Sequence, residues 1–256
     1  MRFLVVLFLL LLTASAAQAQ FDTVSPGRVR IGESRGKDFW LCFPQNARFE
    51  IGLINLRLYI TGDRNTRGVV TIPGLNFRKE FVVPAQQIIQ VDLDSAVQIT
   101  LSERVMDLGV HVEAENPIAV FGLSNRKAST DSYLALPTDV LGTTYRAMGY
   151  HAPTADPTFA TQFNIVATED NTSVMITLTG DTKGGRKAGE TFAIQLNKGQ
   201  VYGVQGGYAP NRRGDLTGSL VNSNKPIGFF VGHACAQVPA EFNFCDQLLE
   251  MSPPIP

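Results

Sequence analysis

The 256-residue sequence predicts an all-β fold of two tandem β-sandwich-like units. Three observations carry this. Apolar residues alternate with polar ones in short runs rich in β-branched and aromatic types. Clusters of Gly, Pro, Asn and Asp separate the runs. The same succession of blocks then occurs twice along the chain. Formal net charge is -1, with charged residues at 18% and hydrophobic residues at 44%. That balance fits neither a nucleic-acid-binding surface nor a disordered tail.

The first segment reads as an address. Met1-Arg2 is a short basic start, Phe3 to Leu12 is unbroken apolar, and Ala17-Gln18-Ala19 is a small-residue cleavage pattern. This is the order of a secretory signal, with cleavage expected between Ala19 and Gln20; an uncleaved anchor is the alternative. The apolar run is shorter than the roughly 20 residues of a membrane span. No second run approaches that length, so no transmembrane span is expected once the signal is removed. The expected location is secreted or cell-surface. The expected organisation is 1–19 signal peptide, 20–35 N-terminal lead, 36–130 first unit, and 131–256 second unit with the start of a further junction.

Strand patterning begins at Phe39. Leu56, Leu58 and Ile60 alternate with Arg57, Tyr59 and Thr61. Val110, Val112 and Ala114 alternate with His111, Glu113 and Glu115, and Phe192, Ile194 and Leu196 with Thr191, Ala193 and Gln195. Period two marks a strand with one buried face. Single helical turns are expected near Ser102–Leu108 and Gln247–Met251. Phe39, Trp40 and Phe43 are read as core, because aromatic rings supply large buried area.

The repeat sets the unit boundaries. RLYITGDRNTRGVVTI at 57–72 aligns with FNIVATEDNTSVMITL at 163–178 without a gap, at an offset of 106. Glu80-Phe81-Val82-Val83 is matched to Thr191-Phe192-Ala193-Ile194, and Gln87-Ile88 to Gln200-Val201. GVHVEAENPIAVFG at 109–122 aligns with GSLVNSNKPIGFFV at 218–231, at an offset of 109. Gly36 opens the first unit where Gly142 opens the second. The closing Ser252-Pro253-Pro254-Ile255-Pro256 stands where a third unit would begin. It reads as a truncation or a natural stop.

Several stretches resemble the N-terminal domain family of the immunoglobulin G Fc-binding protein, including its bacterial relatives. They are GKDFWLCFPQN, YLALP with LGTTY, FNIVATEDNTSVMITL, KGQVYGVQ, DLTGSLVNSNKPIGFFVGH and VPAEFNFCDQLLEMSPP, in the family's order over roughly residues 36–256. The resemblance implies a non-catalytic extracellular binding or adhesion module with an unidentified protein or glycan partner. It also implies continuation beyond Pro256, into further domains of the same polypeptide.

Cys235 and Cys245 are ten residues apart, the resemblance places cysteines at both positions, and export puts them in an oxidising compartment. A Cys235–Cys245 disulfide is expected. Cys42 is expected to be a buried free thiol. His111, His151 and His233 show no metal-ligand spacing, and His111 is expected to face away from the core. No cofactor and no metal are expected. The acidic turns at Asp63 with Asn65, and at Glu169-Asp170-Asn171, offer too few oxygens for calcium without help from another loop. Lys183, Arg186 and Lys187, like Arg212-Arg213, read as solvated loop tips without nucleic-acid character. Asn171-Thr172-Ser173 is a glycosylation sequon that matters only in a eukaryotic host.

No hydrolase signature is present, so no enzyme is expected. Two rivals remain. One is an exported glycan hydrolase using an unrecognised pair among Asp38, Glu113, Glu169, Asp170 and Asp215. The other is a purely structural stalk.

Overall fold

The computed structural model describes residues 34–47, 54–150, 160–207, 214–239, 241, 242 and 244–255. The expected signal peptide with its Ala19–Gln20 cleavage point, nearly all of the 20–35 lead, His151 and Arg212-Arg213 lie outside these residues. The described chain is all-β, in three antiparallel sheets.

In the first half the strands are β1 (Gly36–Leu41), β2 (Asn55–Gly62), β3 (Thr66–Ile72), β4 (Phe77–Val83), β5 (Ile88–Leu93), β6 (Val105–Met106), β7 (Val110–Arg126) and β8 (Ser129–Leu134). The long strand β7 organises them. Its first part is flanked by β1 and β3, with β4 beyond β3. Its second part is flanked by β2 and β8, with β5 beyond β2. Two four-stranded arms thus share one strand. Their apolar faces meet in a core that includes Leu58, Ile60, Val70, Ile72, Val91, Val112 and Val120. Each such side chain contributes about 1.5–3 kcal/mol on burial.

In the second half follow β9 (Thr144–Arg146), β10 (Thr161–Ala167), β11 (Thr172–Thr177), β12 (Thr191–Leu196), β13 (Val201–Gln205), β14 (Leu220–Ser223), β15 (Ile227–Ala236) and β16 (Asp246–Met251). The order β12-β11-β14-β9 matches β4-β3-β7-β1, and β13-β10-β15-β16 matches β5-β2-β7-β8. β14 and β15 are separate strands, interrupted at Asn224–Pro226. β6 adds to the free edge of β13. A second core, with Tyr145, Phe163, Ile165, Ile176, Val204, Val221 and Phe229, fills this half.

Pairing partners correct the ungapped alignment. Val70 faces Val112 and Ile176 faces Val221, so an offset of 106 holds for β3 and β11. Ile60 faces Val120, however, and Ile165 faces Phe229, which sets β2 against β10 at an offset of 105. The turn before β11 is one residue longer than the turn before β3, and a one-residue slip exchanges the faces of a strand. By the same criterion Phe81 matches Ile194, not Phe192. This two-residue shift preserves the face.

Both expected helical turns are absent. Val105–Met106 is β6, and Gln247–Met251 lies in β16, where β15 supplies the hydrogen-bonding partner. Alternating burial of Gln247, Leu249 and Met251 is the period-two signal that the helical reading overlooked. Short 3-10 turns occur instead at Pro73–Leu75, Ser95–Val97 and Thr138–Val140.

The two halves are packed together. Val166, Val201, Phe230, Leu249 and Met251 project from the second half into the first core. Phe230 meets Tyr133 edge-on at 5.2 Å, and the Tyr133 hydroxyl donates to Cys42 O at 3.0 Å. A buried glutamine knot closes the joint: Gln162 Nε2 donates to Gln45 O at 2.7 Å, and Gln205 Nε2 to Gln45 Oε1 at 2.8 Å. Buried amides are tolerated here because their donors find acceptors.

Candidate functional site

The outer face of the first β-arm carries a polar row that the sequence divides among distant segments. Cross-strand register places Trp40 beside His111 and Asp38 beside Glu113. It also places Thr71 beside His111 and Val69 beside Glu113. Because His111 and Glu113 are two apart on β7, they share a face. His111 Nε2 lies 2.6 Å from Asp38 Oδ2, and Nδ1 lies 3.5 Å from Glu113 Oε2. The ring stacks on Trp40 at 4.1 Å and 8°. Thr138 Oγ1 donates to Asp38 Oδ1 at 2.5 Å.

His111 does face away from the first core, as expected, but it is not solvated; it is 7% exposed. Trp40 covers it, and the turn between β12 and β13 covers Trp40. Lys198 Nζ sits 5.6 Å from the Trp40 ring centroid. At Gly199 the backbone has φ +78°, and an added Cβ would meet Trp40 at 3.0 Å. Only glycine combines that conformation with so close an approach.

Burial pushes the Asp38 carboxyl up. Hydrogen bonds from His111 and Thr138, with the electrostatic pull of His111 and Lys198, outweigh burial and hold it below its ordinary value. Cavities of about 630 Å³ and 710 Å³ flank the row. Glu113 lines the first with Arg67, Arg78, Glu80 and Phe81; Asp38 lines the second with Arg35, Lys37 and Asp139. Asp38, His111 and Glu113 offer ligand atoms within 4.8 Å of one another, the one such group among the described residues. Two of the five carboxylates singled out for a hydrolase are therefore brought together. Both imidazole nitrogens already face carboxylates, and Asp38 is committed to two hydrogen-bond partners.

The second place of interest is the β15–β16 hairpin. Cys235 and Cys245 form the expected disulfide, with Cα atoms 5.1 Å apart. His233 is buried, and its Nδ1 accepts from Cys235 N at 3.1 Å. Beside the hairpin lies a cavity of about 300 Å³ lined by Asp131, Met148, Tyr150, Leu248 and Glu250, among others. Burial raises Asp131, only partly offset by backbone donors from Ser132 and Leu249, and the Asp246 charge adds to the rise. Burial and the Asp131 charge raise Glu250.

The remaining described candidates, apart from Cys42, have structural partners or lie in the core. Cys42 is a buried free thiol, and burial pushes its pKa well up. Asp63 pairs with Arg35, and Asn65 Oδ1 accepts from Ala85 N. Glu169 faces Lys225 at 3.7 Å, and Asp170 Oδ1 accepts from Lys198 N. Asp215 Oδ1 accepts from Thr217 N. The acidic turns thus spend their oxygens on local donors. Lys187 pairs with Asp181 and Arg186 with Glu190, and Arg186 lies 3.7 Å above the Phe192 ring. Phe39, Trp40 and Phe43 are buried. The role of Thr138 escaped the sequence reading, since no local pattern joins residues 100 positions apart.

No helix among the described residues is long and apolar enough to cross a membrane. No curated protein and no solved structure matches the chain. Residues 131–256, which include the hairpin and its disulfide, match the family model described as IgGFc binding protein.

Proposed function

We propose that the chain is a secreted or cell-surface binding module, non-catalytic, that holds a protein or glycan partner on the exposed rims of two β-sandwich-like units. The family match over residues 131–256 carries this reading. The family's description names IgG Fc, which makes a protein partner the first to try. Fold alone does not assign a ligand. The signal-like residues 1–19 and the disulfide Cys235–Cys245 are consistent with an oxidising extracellular setting. The test is a biosensor titration of the full mature chain against immobilised IgG Fc, run beside a glycan array. Saturable, reversible binding without turnover is expected. Absence of binding in both formats contradicts the reading.

One observation favours a second reading, glycan hydrolysis: the approach of Asp38 to Glu113. Carboxyl pairs about 5–5.5 Å apart suit a retaining mechanism. Against it, His111 is inserted between the two carboxylates, and Asp38 already binds both His111 and Thr138. Release of reducing sugar that Asp38→Asn and Glu113→Gln both abolish would establish this second reading in place of the first.

A further inference from the structure

The two halves close matching hairpins very differently. β7 and β8 are joined by Lys127 and Ala128 alone, whereas β15 and β16 are joined across residues 237–245. The longer connection is tied at its base by the disulfide. It exposes three large apolar side chains within seven positions: Val238 at 58%, Phe242 at 56% and Phe244 at 87%. Isolated exposed apolar residues are ordinary, but a cluster on a constrained loop marks an interaction surface. Aromatic side chains held in place supply contact area at low entropic cost.

The ground beside the hairpin is acidic. Between Gln237 and Glu250 there are three acidic residues, Glu241, Asp246 and Glu250, and no Lys, Arg or His. The adjoining cavity contains Asp131 and Glu250, exposed Met148 and the Tyr150 ring, and no basic residue is among its described lining residues. Tyr150 ties cavity to hairpin, its hydroxyl donating to Gln237 O at 3.2 Å. Neither Asp131 nor Glu250 forms a salt bridge with a described residue. Burial raises both carboxyls, and the charges of Asp246 on Asp131 and of Asp131 on Glu250 add to the rise.

We infer that Val238, Phe242 and Phe244, with the Asp131–Glu250 cavity beside them, form a docking surface for a protein segment in which apolar side chains flank a Lys or Arg. The apolar residues provide the contact, and the cavity receives the cation between two carboxylates. This deepens the binding-module reading and rests on it.

The test uses the full mature chain and two sets of short synthetic peptides with identical Leu and Phe content. One set carries Lys and Arg, the other Asp and Glu. The basic set is expected to bind at least about tenfold more tightly, and added salt is expected to weaken it. Phe242→Ser with Phe244→Ser should abolish binding. Asp131→Asn with Glu250→Gln should leave apolar binding but erase the preference and its salt dependence. Circular dichroism and quantitation of the disulfide verify the fold of each variant. Equal binding of both sets, no binding of either, or undiminished binding by the folded Phe variant overturns the inference. None of these outcomes touches the Fc and glycan titration, which tests the broader reading separately.

Discussion

Phe121 and Phe230 occupy matching positions on β7 and β15, yet Phe121 is 39% exposed and Phe230 is fully buried. The same contrast runs across the whole arm. β2, NLRLYITG, buries every second residue, and its other face keeps Arg57 paired with Asp92 at 2.8 Å. β10, TQFNIVA, is buried at every position. One scaffold therefore serves two roles. In the first half the arm has one dry face; in the second it is packed between two cores. The opposite arm differs the other way. Asp38, Trp40, His111 and Glu113 have Thr144, Arg146, Leu220 and Asn222 as their pairing counterparts. The polar row belongs to the first half, and the extended stapled hairpin to the second.

The largest effect expected is at Phe229, which packs between Tyr145 at 5.1 Å and Phe163 at 5.6 Å. Phe229→Ala should cost about 3–5 kcal/mol in chemical denaturation. Val120→Ala, at the matching position of the first half, removes less volume and should cost less. Equal costs would mean that the two cores are not comparably built. Next, Cys235→Ser with Cys245→Ser should lower stability by about 2–3 kcal/mol in the chain-entropy model. Because β7–β8 closes without a staple, strand content should survive the loss in circular dichroism. Collapse of the whole signal would show that the hairpin nucleates the second half.

His111→Ala should cost about 1–3 kcal/mol, because it strips Asp38 of a partner at a half-buried position. Leu220→Ala should show no comparable pH signature. Asp38 has a lowered folded pKa, so its stabilisation is fully present above the unfolded carboxylate value and lost as pH falls through the folded one. Thermal melts from neutral pH to about pH 3 should therefore show wild type losing more stability than His111→Ala over the most acidic part of that range. Parallel curves would remove the His111–Asp38 pair from the account. The smallest effect is at Glu250. Its raised pKa means that ionisation opposes folding, a cost relieved as pH falls through the folded value. Glu250→Gln should raise the melting temperature slightly at neutral pH and not in acid.

Much of this difference could be read before any coordinates. Alternation in RLYIT and its absence in FNIVA already separate a one-sided strand from a two-sided one. The family segments within residues 131–256, the disulfide and the buried Phe39, Trp40 and Phe43 were also legible. What was not legible depends on register. An extra residue in the turn before β11 carries no local mark, so the ungapped alignment assigned β10 the wrong face. The Asp38–His111–Glu113 row needs β1 and β7 to pair across more than 70 residues, and covering it needs a turn from the other half. The helical reading of Gln247–Met251 failed because a short run satisfies both periods, and only the edge of β15 decides between them.

The most direct test of the central contrast is to replace residues 237–245 of the chain with the Lys127-Ala128 turn, changing Cys235 to Ser as well. Both Trp40 fluorescence and the binding of basic apolar peptides would then be followed. If the second half carries its contact surface on a scaffold shared with the first, the chain keeps its native fluorescence and cooperative unfolding while peptide binding disappears. A folded chain that binds as before would contradict that account.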